Sequence, residues 1–141
     1  MEISKKYYGI KMNDLFWKCL ARDVSKLSTD KRRSIGVIIT KDDELLSYGY
    51  NIATTKWKWF INWHKKNCLR KIFKVPKNGW YWFCPGCALS KNHAEMVAIR
   101  NIGNQSTDGY LKMYMYGHRY CCDNCLKNLE KINVKEIIIY E

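Results

Sequence analysis

Two short ligand-bearing motifs, far apart in the chain, must meet at one point in any fold this sequence adopts. They are His93-Ala94-Glu95 and, 27 positions after Glu95, Cys122-Asp123-Asn124-Cys125. Cysteines at i and i+3 opening a helix lie on one face, so both sulfurs can reach a single ion. One histidine and two thiolates give three protein ligands, the count of a catalytic zinc that keeps its fourth position for water. His93 and Glu95, two apart, would point to nearly opposite sides in mid-helix and converge only at a helix end. The motifs therefore predict two helix N-termini facing one metal, where free N–H groups also favour the thiolates of Cys122 and Cys125. Cys121 leaves the register open, because it could compete with Cys122; the commoner Cys-x-x-Cys spacing favours Cys122.

The elements around these motifs alternate in type. From Lys11 to Ser28, Met12, Leu15, Phe16, Cys19, Leu20, Val24 and Leu27 recur by threes and fours, the stripe of an amphipathic helix with Cys19 as a small buried hydrophobe. Ser34 to Thr40 and Glu44 to Asn51, joined by the polar turn Lys41-Asp42-Asp43, predict a β-hairpin. A short helix starts near His93 and stops at Gly103, and a strand from Tyr110 to Gly117 alternates Leu111, Met113 and Met115 with Lys112, Tyr114 and Tyr116. A third helix, about Asp123 to Asn133, carries Cys125, Leu126, Leu129 and Ile132 on one side, and Val134 to Tyr140 is a β-branched run suited to a buried strand. The last strand-helix-strand passage demands a crossover, hence two parallel strands. The order predicts one α/β domain over 1–141: a three-layer α/β/α sandwich on a mixed sheet of about four strands, interrupted by an insertion at 52–92.

The 141 residues suffice for one domain with a real core, and 47% hydrophobic with 27% charged residues is globular composition. No run of about 18 apolar residues occurs, so no membrane partner is expected. The first residues lead into Tyr7-Tyr8-Gly9 rather than an apolar stretch, which predicts a cytoplasmic protein. Seven cysteines in such a chain suit thiols and metal ligands better than disulfides. The net charge of +12 implies anionic partners or substrates.

The chemistry follows from the ligand set. A zinc lowers the pKa of water towards neutrality, and Glu95 is the group that would take the proton, pass it to a ring nitrogen and then protonate a departing amine. His-x-Glu followed by Cys-x-x-Cys is the signature of zinc nucleobase deaminases, with Cys121 standing where a proline is usual. A closed zinc knuckle would more often recruit a fourth protein ligand and would leave Glu95 without a purpose.

With these residues in hand, the chain resembles the deoxycytidylate (dCMP) deaminase family of the cytidine deaminase superfamily, from about Leu15 to the C-terminus. The likeness is carried by Tyr48-Gly49-Tyr50-Asn51, by His93-Ala94-Glu95-Met96, and by Tyr116-Gly117-His118-Arg119-Tyr120-Cys121-Cys122-Asp123-Asn124-Cys125. It implies the cytidine deaminase fold, and that Asn51 hydrogen-bonds the substrate sugar or base while the Ala94 N–H meets the pyrimidine carbonyl. Two departures stand out. Ile52 replaces a usual glycine of a phosphate or effector loop, and the chain ends after its fourth strand where many relatives carry a fifth. A bare last edge tends to be covered, which predicts a homo-oligomer.

Between the hairpin and the second helix lies a different composition. His64, Cys68, Cys84 and Cys87 have the spacing of a second, closed metal site, with His118 or Cys121 able to replace His64; the resemblance supports a structural zinc there, and the alternative reading is that the four are simply buried core residues. Residues 52–83 hold eight basic side chains, no acidic ones, and five of the six tryptophans. Such a segment could track single-stranded nucleic acid. Alternatively, the tryptophans pack the insertion onto the domain, and this reading is preferred because a small-molecule nucleotide also needs basic contacts, with Arg119 the candidate phosphate partner. The leading function is dCMP deamination; deamination of polynucleotide and a silent nucleic-acid-binding zinc module stand behind it.

Overall fold

A computed structural model describes residues 2–76, 80–119 and 121–140, with side chains from residue 14 onward. Helix α1 (Glu2–Ser25) leads into the hairpin β1 (Gly36–Lys41) and β2 (Glu44–Tyr50). The insertion contributes short helices α2 (Lys58–His64) and α3 (Leu69–Ile72) and two 3-10 turns, Tyr81–Phe83 and Ser90–Asn92. Then follow α4 (Ala94–Ile102), β3 (Leu111–Tyr116), α5 (Asp123–Lys131) and β4 (Val134–Tyr140).

The four strands form one mixed sheet in the order β2-β1-β3-β4. β1 runs antiparallel to β2 and β3, and the α5 crossover makes β3 and β4 parallel, as the sequence predicts. Alternation sorts the side chains into two layers. Val37, Ile39, Met113 and Met115 face Ala94, Ala98 and Leu129 of α4 and α5. Ile38 and Tyr114 face Trp17, Ala21 and Val24 of α1. Both faces of β3 are therefore buried, and Tyr114 satisfies its hydroxyl by donating to Asp14 at 2.7 Å.

Three expectations are corrected here. The buried face of α1 runs through Trp17, Ala21, Val24 and Ser25, whereas Leu15, Phe16 and Leu27 of the expected stripe are exposed and Cys19 is half-buried. The reason is a close approach: a Cβ on Gly36 would collide with the backbone of Ala21 and Ser25, so the small face of the helix must meet the sheet. The side chain of Met12 lies outside the described residues. Leu126 is exposed, since α5 turns only Cys125 and Leu129 fully inward. β4 is half-buried rather than buried, because it forms an edge of the sheet and exposes Lys135 and Glu136.

A second close contact positions the site. Gly49 in β2 faces α4, where a Cβ would fall under 3.0 Å from Ala98 N and Ala94 O, and Ser47 Oγ donates to Ala98 O at 2.8 Å. The clash is with backbone and cannot be relieved by a rotamer. Gly49→Ala should thus cost about 3 kcal/mol of stability, measured as a lowered urea midpoint; an unchanged midpoint would show that α4 is free to stand off.

Candidate active site

Helix α4 begins where His93, in extended backbone (φ −63°, ψ 150°), serves as its N-cap, and α5 begins in the same way at Cys122 (φ −68°, ψ 157°). The two helix starts face one another. His93 Nδ1 lies 3.5 Å from Cys122 Sγ and 3.6 Å from Cys125 Sγ. A tetrahedral zinc with ordinary bond lengths would hold a sulfur and a nitrogen about 3.6 Å apart, so these three donors suit that ion. The sulfurs sit closer, at 3.0 Å, in a hydrogen-bond contact. That hydrogen bond, with the Cys125 N–H at 3.4 Å and the His93 ring, holds the Cys122 thiol well below its usual range. Cys121 behaves oppositely. Burial, with Glu95 and Cys122 nearby, pushes its thiol up to about 12, and it belongs to no metal-sized cluster among the described residues. The donor cluster thus contains Cys122 and leaves Cys121 out.

Glu95 lies in the first turn of α4, 4% exposed, and lines the same cavity as His93 and Cys122. Burial holds its carboxyl above the usual range, and a hydrogen bond with Cys125 and the neighbouring His93 temper the shift. A carboxyl held in this position is of the type that accepts and returns protons in general acid–base catalysis.

The cavity encloses about 1040 Å³. Arg32, Arg33, Arg70, Lys71, Lys74 and Arg119 border it, against Asp30 and Glu95 as its carboxylates. Asn51 borders it too, but its polar atoms serve the fold: Oδ1 accepts from Ser28 Oγ (2.5 Å) and Ile35 N–H (2.9 Å), and Nδ2 donates to Arg33 O (2.7 Å). Among the described residues one amide hydrogen of Asn51 is left over by this count. Ala94 is fully buried in the core, and its N–H is the first of α4, where the helix itself offers no acceptor. Arg119 is exposed at the rim, His118 Nε2 accepts from Arg33 Nη1 at 3.0 Å, and Tyr120 of the motif lies outside the described residues. Tyr81, not anticipated from sequence, sets its ring edge-on to His93 at 4.6 Å between centroids and carries the Arg70 guanidinium over its face. No spacing rule could have found it.

The second cluster also assembles. His64, Cys68, Cys84 and Cys87 bring four donor atoms within 4.8 Å of one another, all buried. Cys87 Sγ lies 3.6 Å from both Cys68 Sγ and His64 Nε2. His64 Nδ1 faces Asp30 Oδ1 at 3.3 Å, the carboxylate support that zinc-bound histidines commonly have. A Cβ on Gly86 would fall under 3.0 Å from the His64 ring, so the Pro85-Gly86 turn is a cradle only glycine can form. Four closed donors fit a structural zinc rather than a catalytic one. Neither His118 nor Cys121 joins them.

Around this core, the insertion departs from the expected packing. Phe60 and Leu69 pack on the cysteines, while Trp57, Trp59, Trp63, Trp80 and Trp82 are all exposed. With the cysteine cluster and two smaller apolar residues forming the centre of the insertion, the indoles have no interior to fill.

Two helix N-termini presenting a His-Cys-Cys triad beside a buried carboxylate, on a mixed α/β/α sheet, define the class of zinc-dependent hydrolytic deaminases. The model of the cytidine and deoxycytidylate deaminase zinc-binding region matches residues 12–141, and the chain belongs to that family, with zinc as its cofactor. The dCMP deaminase of the cyanophage S-TIM5, in its apo form, shares the fold at a TM-score of 0.57 and 21% identity, over 92% of this chain and 82% of that one. Acinetobacter baumannii RibD, form 2, shares it at a TM-score of 0.50 and 21% identity, over 91% of this chain but 28% of RibD. No curated protein matches the sequence. Among the described residues no helix is long and apolar enough to cross a membrane.

Proposed function

We propose that this protein deaminates a free cytosine nucleotide, most closely dCMP, taking up water and releasing dUMP and ammonia. The observation that carries the reading is Glu95, a buried carboxyl of raised pKa that lines the same cavity as His93 and Cys122 and hydrogen-bonds with Cys125. His93, Cys122 and Cys125 would hold the catalytic zinc, and His64, Cys68, Cys84 and Cys87 a structural one. When bound, the catalytic metal supplies Lewis-acid chemistry that brings the pKa of water to about 7. Glu95 accepts a proton from water, delivers it to the ring nitrogen, and then carries the second proton of that water from the new hydroxyl to the leaving amine. The Ala94 N–H at the start of α4 suits the pyrimidine carbonyl, and the spare amide hydrogen of Asn51 suits the sugar or base. Arg119 at the rim suits the phosphate, charge on charge. The likeness in fold to a phage dCMP deaminase supports this substrate, and the bare half-buried β4 edge supports assembly into an oligomer.

The test is ammonia release from purified zinc-loaded protein given dCMP, cytidine, dCTP, and cytosine-containing single-stranded DNA and RNA. Turnover of dCMP well above the others is expected. Turnover of polymers with none of monomers would overturn the reading.

A further inference from the structure

We propose that the exposed tryptophan-and-lysine face formed by residues 57–74 and 80–82 is a binding site for single-stranded nucleic acid, whose bases stack on the indoles and whose phosphates meet the lysines.

The inference starts from a cost. Trp57, Trp59, Trp80 and Trp82 are 66%, 64%, 55% and 67% exposed, although indoles are usually buried where a fold can use them. They are also ordered in pairs. Trp57 and Trp59 stack at 5.9 Å with planes 19° apart, and Trp80 and Trp82 at 5.9 Å with planes 23° apart. Each pair is a two-ring platform with an open side, held by the buried cluster beneath: α2 carries Trp59 and ends at His64, and Trp82 lies two residues before Cys84. Stacking on such rings is sequence-tolerant, because every base has a π-face.

Charge selects among occupants. Residues 52–83 hold eight basic residues and no acidic one, and Lys58, Lys65, Lys66, Lys71 and Lys74 are exposed among the aromatics. A second copy of this chain would set like charges against each other, which costs several kcal/mol. A polyanion with flat apolar groups is complementary in both respects. An anionic lipid surface would share the charge, but the geometry leads to the nucleotide cavity. Tyr81, between Trp80 and Trp82 in sequence, sits edge-on to His93, while Arg70, Lys71 and Lys74 border the cavity. At about 1040 Å³ that cavity lies at the upper end of small-ligand sites. The platform therefore runs on into the cavity proposed above to take the nucleotide, and the choice of nucleic acid over lipid rests on that reading.

Binding would be read by fluorescence anisotropy of the zinc-loaded protein with a labelled oligothymidylate of about twelve nucleotides, within the span of single-strand sites. The expected result is salt-dependent binding, weakened at least about tenfold in Trp57→Ala/Trp59→Ala and again in Trp82→Ala. Both variants should retain zinc and any dCMP turnover, since these exposed rings hold neither metal nor substrate. Equal affinity for duplex DNA or heparin, unchanged affinity in the tryptophan variants, or preference for phosphatidylserine vesicles over the oligomer would each overturn the proposal. A wild-type protein inactive on dCMP would instead count against the deaminase substrate and leave this site standing.

Discussion

Glu95→Gln is expected to lower deamination about 10³- to 10⁴-fold, the range a positioned general acid–base supplies, while zinc content and fold stay as they are. The glutamine keeps the shape of the side chain and its hydrogen bonding but cannot carry a proton from water to ring. Two measurements on one preparation check this: ammonia release from the preferred nucleotide, and metal per chain by elemental analysis. Activity within tenfold of wild type would remove Glu95 from the chemistry. The same substitution has a stability signature. Burial holds the Glu95 carboxyl above its ordinary range, so the folded protein binds this proton more tightly than the unfolded chain. Stability from this group is therefore highest at acid pH and falls as pH rises through the folded pKa. In metal-free protein, Glu95→Gln should thus melt higher than wild type at neutral pH, and the gain should vanish on acidification. A stabilised, inactive variant is the mark of a charge kept buried for function.

Cys84→Ser is expected to halve the zinc content, from two ions per chain to one, and to loosen the whole insertion. Cys84 is completely buried, and its thiol is held low by the hydrogen bond with Cys87 and by His64. Structural zinc contributes folding free energy directly, so a serine here removes both a ligand and the reason for residues 58–87 to hold together. Activity should fall as well, since Tyr81 reaches His93 from a turn that ends one residue before Cys84. Asp30→Asn gives a graded version: with the second nitrogen of His64 deprived of its carboxylate, zinc affinity at this site should drop about 10- to 100-fold. Competition with a chromophoric chelator would resolve the two ions. A single zinc in wild type, unchanged in Cys84→Ser, would make the cluster a plain thiol core.

Much of this site was legible because metal chemistry constrains residue type and spacing more tightly than packing does. His93, Glu95, Cys122 and Cys125 follow as candidates from ligand count and helix-end geometry, and Cys-Pro-Gly-Cys at 84–87 has the spacing of the second donor cluster that the structure assembles. The period-two alternation of β3 foretold two layers, and the β-branched run at the C-terminus foretold β4, though not its exposure as an edge. The stripe of α1 was misplaced by a rotation about the helix axis. Leu15 and Phe16 are more apolar than Ala21 and Ser25, but periodicity cannot sense that Gly36 draws the sheet to within backbone distance of the small residues. The tryptophans failed for a related reason: hydrophobicity says a ring would gain from burial, not whether an interior is available.

The order of the elements outside the insertion, the parallel pairing forced by the last crossover, and a candidate donor set with one position open between Cys121 and Cys122 were legible in the sequence alone, through periodicity and coordination number. Only the tertiary structure decided between Cys121 and Cys122, tied Asn51 to Ser28, Arg33 and Ile35, set Asp30 behind His64 and Tyr81 against His93, and left five indoles in solvent. Each of those outcomes depends on which surfaces approach across long stretches of chain, and local patterns carry no record of that distance.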